Sequence, residues 1–152
     1  VSDRPFRLAW SPDGEWLALG VTQLHDEGDV ESTILLARAG EHRLLRRELG
    51  RIVDLSWAPN GQWIRLFAYH GDEIWTSVIG LDGSLLLREE NATVTWSPDG
   101  RYLALTRFGD RVTGLQIRDL KRDERRRIEL PGTCWAPTWN PRGSGQEPVS
   151  QP

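Results

Sequence analysis

Asp13 and Asp99 occupy the same place in two copies of one string, Trp-Ser-Pro-Asp-Gly, at residues 10–14 and 96–100 of a 152-residue chain. Carboxylates in a recurrent setting are what general acid–base chemistry would use. The recurrence argues the other way, because Asn60 serves at the same position of a third copy, Trp-Ala-Pro-Asn-Gly. Pro12, Pro59 and Pro98 preset φ for the second position of a type I turn, and Ser or Ala precedes each of them. Asp or Asn suits the next position, and Gly14, Gly61 and Gly100 supply the left-handed residue that closes a three-residue hairpin with a bulge. Every letter has a conformational task, so no catalytic residue is assigned. The resulting "SPDGEW" also places glycine one residue too early for the sialidase Asp-box pattern, S-x-D-x-G-x-T-W.

Other residues of chemical interest lie in loops. The stretch 25–31 gathers His25, Asp26, Glu27, Asp29 and Glu31. Clustered oxygens can hold calcium, but the ordered ligand spacing of an EF-hand is missing, and a solvated acidic hairpin loop is the commoner form. No metal is assigned and no cofactor is implied. "KRDERRR" at 121–127 could meet phosphate or an acidic partner. It lacks interleaved aromatics, and reads as a charged edge, paired with Asp123 and Glu124, that discourages sheet-to-sheet aggregation. Arg65 stands where Ala18 and Ala104 stand in the sister units, so its guanidinium requires an ion pair, Asp54 being the candidate, or a ligand. His70 and Asp72 share the neighbouring turn, and Arg65, His70 and Asp72 are the candidate contacts for a partner or ligand. Cys134, beside Trp135, reads as a small buried residue rather than a nucleophile. No G-x-S-x-G elbow and no glycine-rich phosphate loop occurs.

Composition narrows the classes. With 19 basic and 22 acidic side chains, the formal charge of −3 gives no global pull toward nucleic acid or an anionic membrane. Apolar runs such as Leu85–Leu87 fall far short of the roughly 20 residues that span a bilayer. The chain is expected to be soluble, with no membrane and no nucleic-acid partner. A lone cysteine excludes an internal disulfide framework and leaves the compartment open. The first segment has no signal-peptide pattern.

The elements that must position these residues follow from the repeat. "LAWSPDGEWLALG" (8–20), "LSWAPNGQWIRLF" (55–67) and "VTWSPDGRYLALT" (94–106) superpose without gaps, and "PTWNPRG" (137–143) begins a fourth copy. Trp10, Trp57, Trp96 and Trp139 are 47, 39 and 43 residues apart, the period of a four-stranded propeller blade. Alternation and turn residues predict strands at 6–10, 15–20, 33–38 and 43–48, then 52–57, 62–68, 73–79 and 84–88, then 92–96, 101–107, 112–118 and 125–130. In each first strand one face is bulky and the other small, so successive sheets can nest. The expected fold is all-β: a β-propeller fragment of about three four-stranded antiparallel blades plus one extra strand. Blades occupy 1–142, as units 5–48, 52–88 and 92–130 with a partial unit at 133–142, and 143–152 reads as a disordered tail.

The W-S-P-D-G turn followed by an L-A-L strand and a closing hairpin resembles the repeats of TolB-like β-propellers. WD-repeat propellers share the turn, but the Gly-His start and Trp-Asp end of their repeats are missing here. Propellers commonly hold four to eight blades. The resemblance therefore implies the C-terminal part of a larger propeller, with open blade flanks able to self-associate, or a ring assembled from several chains. The expected function is a non-enzymatic scaffold for protein partners at its loop ends. The alternatives are the propeller portion of a larger enzyme, such as a prolyl-oligopeptidase-like serine peptidase, and a ligand- or ion-binding propeller, which would show as a ligand-induced rise in Tm.

Overall fold

The computed structural model describes residues 6–25, 28–107, 114–130 and 137–141. Cys134, the tail, and Asp26 and Glu27 of the acidic loop lie outside those residues. Among the described residues, twelve strands form three four-stranded antiparallel sheets. The first holds β1 (Phe6–Trp10), β2 (Leu17–Leu24), β3 (Val30–Arg38) and β4 (Glu41–Leu49) in sequence order. The second holds β5 (Arg51–Trp57), β6 (Trp63–His70), β7 (Glu73–Gly80) and β8 (Leu85–Glu90). The third holds β9 (Ala92–Trp96), β10 (Tyr102–Arg107), β11 (Gly114–Asp119) and β12 (Glu124–Glu129). The chain divides into two compact units, Val1–Glu89 and Glu90–Pro152.

The repeated turn has one geometry throughout. Gly14, Gly61 and Gly100 donate their N–H to the carbonyls of Ser11, Ala58 and Ser97 at 2.8–2.9 Å, with φ between 70° and 73°. The N–H groups of Ser11, Ala58 and Ser97 in turn donate to the carbonyls of Trp16, Trp63 and Tyr102 at 2.8–2.9 Å. In the two serine copies the returning N–H of Trp16 and of Tyr102 is bound by the serine hydroxyl, at 2.9 and 2.8 Å, rather than by the serine carbonyl. The serine carbonyl is already taken by glycine, so the closed loop is one residue wider than a three-residue hairpin.

In the first unit the core lies between two sheets. Ala18, Ile34 and Leu36 of the first sheet pack against Ile52, Leu55, Trp57, Ile64 and Leu66 of the second. Gly20 provides the close approach, since a side chain there would press on Ile52 and Leu55. Two polar bonds fix the register between the sheets: the Trp57 indole donates to the Ala9 carbonyl at 2.8 Å, and Arg7 donates to the Val53 carbonyl at 2.6 Å. Buried Ser32 anchors the crossing from β4 to β5, donating to the Gly50 carbonyl at 2.7 Å and accepting the Ile52 N–H at 3.3 Å.

In the second unit, Ala104, Leu115 and Ile117 form a smaller core. Trp139, from the fourth copy of the motif, stacks on Tyr102 with ring centroids 6.2 Å apart, and Thr95 donates to the Pro137 carbonyl at 3.2 Å. The opening segment of the fourth repeat thus lies on the third sheet, much as β5 lies on the first.

Candidate functional site

The turns that carry the repeated acids are occupied by structure. Asp13 accepts the Ser11 hydroxyl, and the Glu15 N–H at 3.0 Å. Asp99 accepts the Ser97 hydroxyl at 2.5 Å and the Arg101 N–H at 3.0 Å. Asn60 accepts the Gln62 N–H at 3.1 Å in the same way. These donors hold the Asp13 and Asp99 carboxyls below the ordinary carboxylate range, the serine hydroxyl contributing most in each case. A carboxylate kept ionised by its own turn has no proton to deliver near neutral pH.

Asp82 is held low by Ser84, first through its hydroxyl and then through its N–H. Asp119 is held low first by the Arg101 guanidinium, bound at 2.7 and 3.3 Å, against the opposing effect of its own burial. All four carboxylates ionise more readily in the folded chain than at the ordinary 3.8. Their contribution is therefore full above that value and is lost as pH falls below it, through the lower folded values. Tm should be level from pH 7 to about 5 and drop below about pH 4. In the Ser11→Ala, Ser97→Ala double variant that acid drop should be smaller. An unchanged drop would remove these turns as its source.

Arg65 lies in the middle of β6 and pairs with Asp54 on the adjacent β5. His70 and Asp72 are elsewhere, at the β6–β7 turn. They line an open cleft of about 630 Å³ together with Gly28, Asp29, Val30, Tyr69, Gly71 and Glu73. The cleft forms because the β2–β3 and β6–β7 loops leave the same end of adjoining sheets. The β2–β3 loop is shaped by bonds from the His25 N–H to the Asp29 carbonyl at 2.9 Å and from the Gly28 N–H to the His25 carbonyl at 3.0 Å. Glu73 also accepts the Trp75 indole N–H at 3.1 Å. Three carboxylates, one imidazole and one half-exposed phenol suit a partner that brings hydrogen-bond donors or positive charge. Among the described residues, the lining contains no serine, threonine, cysteine or lysine. Among the described residues no three His, Cys, Asp or Glu side chains converge as metal ligands.

One acid of the basic run reaches outside it. Asp123 binds Arg118 of β11, at 2.8 and 3.2 Å, and Asp119 accepts the N–H groups of Lys121 and Arg122 at 2.9 and 3.2 Å. Arg125, Arg126 and Arg127 stand exposed on β12, at the end of its sheet order. Sequence reasoning also missed a buried charge network. Glu48 on β4 binds Arg46 at 2.5 Å and Arg88 on β8 at 2.9 Å, and Arg88 lies 4.7 Å from the Trp75 ring centre. A bulge at Leu45 shifts the phase of β4 and so obscures the alternation that would have marked Glu48 as inward.

No protein-family model and no curated protein matches the chain. Solved structures do. An oligogalacturonate lyase in complex with manganese is 15% identical, with a TM-score of 0.62 over 90% of this chain and 44% of that one. The β-propeller domain of the trilobed protease from Pyrococcus furiosus is 20% identical, with a TM-score of 0.56 over 82% and 41%. TolB from Acinetobacter baumannii is 16% identical, with a TM-score of 0.51 over 85% and 33%. The chain thus spans less than half the length of each of these structures. Three four-stranded antiparallel sheets of recurrent sequence, matched in this way, are a partial β-propeller with a fold similar to that of TolB.

Proposed function

We propose that this segment belongs to a larger β-propeller and serves as a non-enzymatic scaffold for a protein partner, with the cleft between the β2–β3 and β6–β7 loops as the contact area. The observation that carries this reading is the composition of that cleft: Asp29, His70, Asp72 and Glu73 converge where the repeats differ from one another, with no serine, threonine, cysteine or lysine among the described lining residues. Side chains that are common to the repeats are spent on turns and packing, so selectivity falls to the unequal loops. A partner presenting lysine, arginine or backbone N–H groups fits the acidic lining.

The test is site-specific photo-crosslinking in cells. With p-benzoylphenylalanine in place of Asp72, one recurrent protein adduct is expected. The same group in place of exposed Gln62, at the opposite end of β6, should not give that adduct. Equal labelling at both positions would abandon the cleft as a contact area.

The likeness to a protease's propeller domain supports a second reading, that of the propeller portion of a larger serine hydrolase. A fluorophosphonate probe applied to the full-length protein separates the two. Labelling abolished by heat denaturation would establish the second reading and displace the first.

A further inference from the structure

The basic run 121–127 leads into an edge strand whose cations the fold leaves unused. β12 closes the third sheet, with β11 on one side and, among the described residues, no strand on the other. Alternate N–H and C=O groups of such a strand point away from its sheet and stay open to a further strand. Its register with β11 is unbroken over six residue pairs, from Asp119 with Glu124 to Gly114 with Glu129. The last strands of the other two sheets are less suited to that purpose. β4 carries a bulge at Leu45, and its arginines are engaged: Arg43 on the Leu81 carbonyl, Arg46 on Glu48 and Arg47 on Glu31. β8 ends in Glu89 and Glu90, and its one arginine, Arg88, is held by Glu48.

Arg125, Arg126 and Arg127 are all exposed, and Lys121 and Arg122 stand exposed at the turn before them. Asp123 is taken by Arg118, and Asp119 by Arg101 and the N–H groups of the turn. Among the described residues, no carboxylate pairs with the side chains of Lys121, Arg122, Arg125 or Arg127. Arg125 and Arg127 share one face of β12, opposite Arg118 and Gln116, and lie about 7 Å apart along the strand. A chain of net charge −3 thus concentrates cations on one open strand edge. A second copy of β12, paired antiparallel about Arg126, would set arginine against arginine, and like charges directly opposite resist pairing. Nucleic acid is disfavoured too, since no aromatic ring is interleaved with these cations. We infer that β12 is a docking edge for an extended acidic segment of a partner protein, which adds to the third sheet as a fifth strand. The backbone of that segment pairs with the open N–H and C=O groups, and its carboxylates, two residues apart, meet Arg125 and Arg127. The inference is independent of the loop cleft, whose residues belong to the first unit.

The probe is a fluorescein-labelled peptide of about eight residues, alternating glutamate and threonine, titrated with the 152-residue chain. Fluorescence anisotropy in about 50 mM salt should show saturable binding, which weakens about tenfold as salt rises to about 500 mM. The Arg125→Glu, Arg127→Glu variant should bind at least about tenfold more weakly, and the β12 amides of the unaltered chain should gain hydrogen-exchange protection in the complex. The fully N-methylated peptide keeps its charges but offers no ladder donor, so it should also bind at least about tenfold more weakly. That comparison needs no protein variant, and so survives a folding defect in the charge-reversed chain. Equal affinity for the two peptides reduces the contact to charge alone and overturns strand addition. Tighter binding of a single-stranded oligothymidylate than of the parent peptide overturns the inference in favour of a polyanion surface. An absence of binding by the parent peptide overturns it as well, and leaves β12 as an edge whose charges only keep other strands away.

Discussion

Trp57→Ala should destabilise the first unit by about 3–5 kcal/mol, while Trp10→Ala in the same chain should change its stability by no more than about 0.5 kcal/mol. The two residues occupy one position of one motif, so the contrast isolates tertiary environment from sequence. Trp57 is buried between two sheets, and its truncation leaves a large cavity beside Ile52, Leu55 and Leu66, which cannot collapse without moving a strand. It also strips the Ala9 carbonyl of its donor. Trp10 faces solvent and removes no such contact. Trp57→Phe divides the effect: most of the apolar area stays, the hydrogen bond goes, and a loss of about 1–2 kcal/mol is expected. Urea titrations of the three variants, followed by far-ultraviolet circular dichroism, measure these differences. Equal losses for Trp10 and Trp57 would contradict the inter-sheet core described above.

Glu48→Gln should cost about 2–3 kcal/mol, from loss of two charge-assisted hydrogen bonds at a carboxylate that is 6% exposed. The amide keeps the volume but leaves Arg46 and Arg88 turned toward a neutral group. Both guanidinium groups are 28–31% exposed and regain part of their hydration, so the loss stays below that of a fully buried pair. The network also positions the β7–β8 turn. Arg46 donates to the Gly83 carbonyl at 3.0 Å and Arg43 to the Leu81 carbonyl at 2.5 Å, while Gly83, at φ 83°, leaves no room for a side chain against the Leu45 carbonyl. A double-mutant cycle with Arg88→Met should show coupling of about 1–2 kcal/mol, little reduced between 50 and 500 mM salt because the carboxylate is buried. A neutral Glu48→Gln would mean that desolvation already offsets the attraction.

Much of this fold was legible in the chain. The predicted first strands at 6–10 and 92–96 agree with β1 and β9, and the other boundaries differ by a few residues, most at the ends of β2 and β3. Strand and turn are local properties, fixed by alternation and by φ at proline and glycine, so they can be read within a few residues of chain. The bulges at Val53 and Leu45 could not be read in this way. Each is an accommodation of one strand to its partner, and each resets which side chains face inward.

The candidate site divides along the same line. His70 and Asp72 were visible as a polar turn, but the cleft depends on Asp29, which comes from the β2–β3 loop some 40 residues earlier in the chain. Arg65 was conspicuous as a charge among alanines, and its partner is Asp54 on the adjacent strand, the carboxylate that the sequence suggested.

By itself, then, the sequence determined the three turns, the four-stranded unit and its repetition, because each follows from backbone preferences within one unit. Only the tertiary structure decided which of four equivalent tryptophans is buried, where a carboxylate enters the core and which loops meet. Those outcomes depend on what lies across a sheet face, and residues within one unit carry no record of their neighbour across that face.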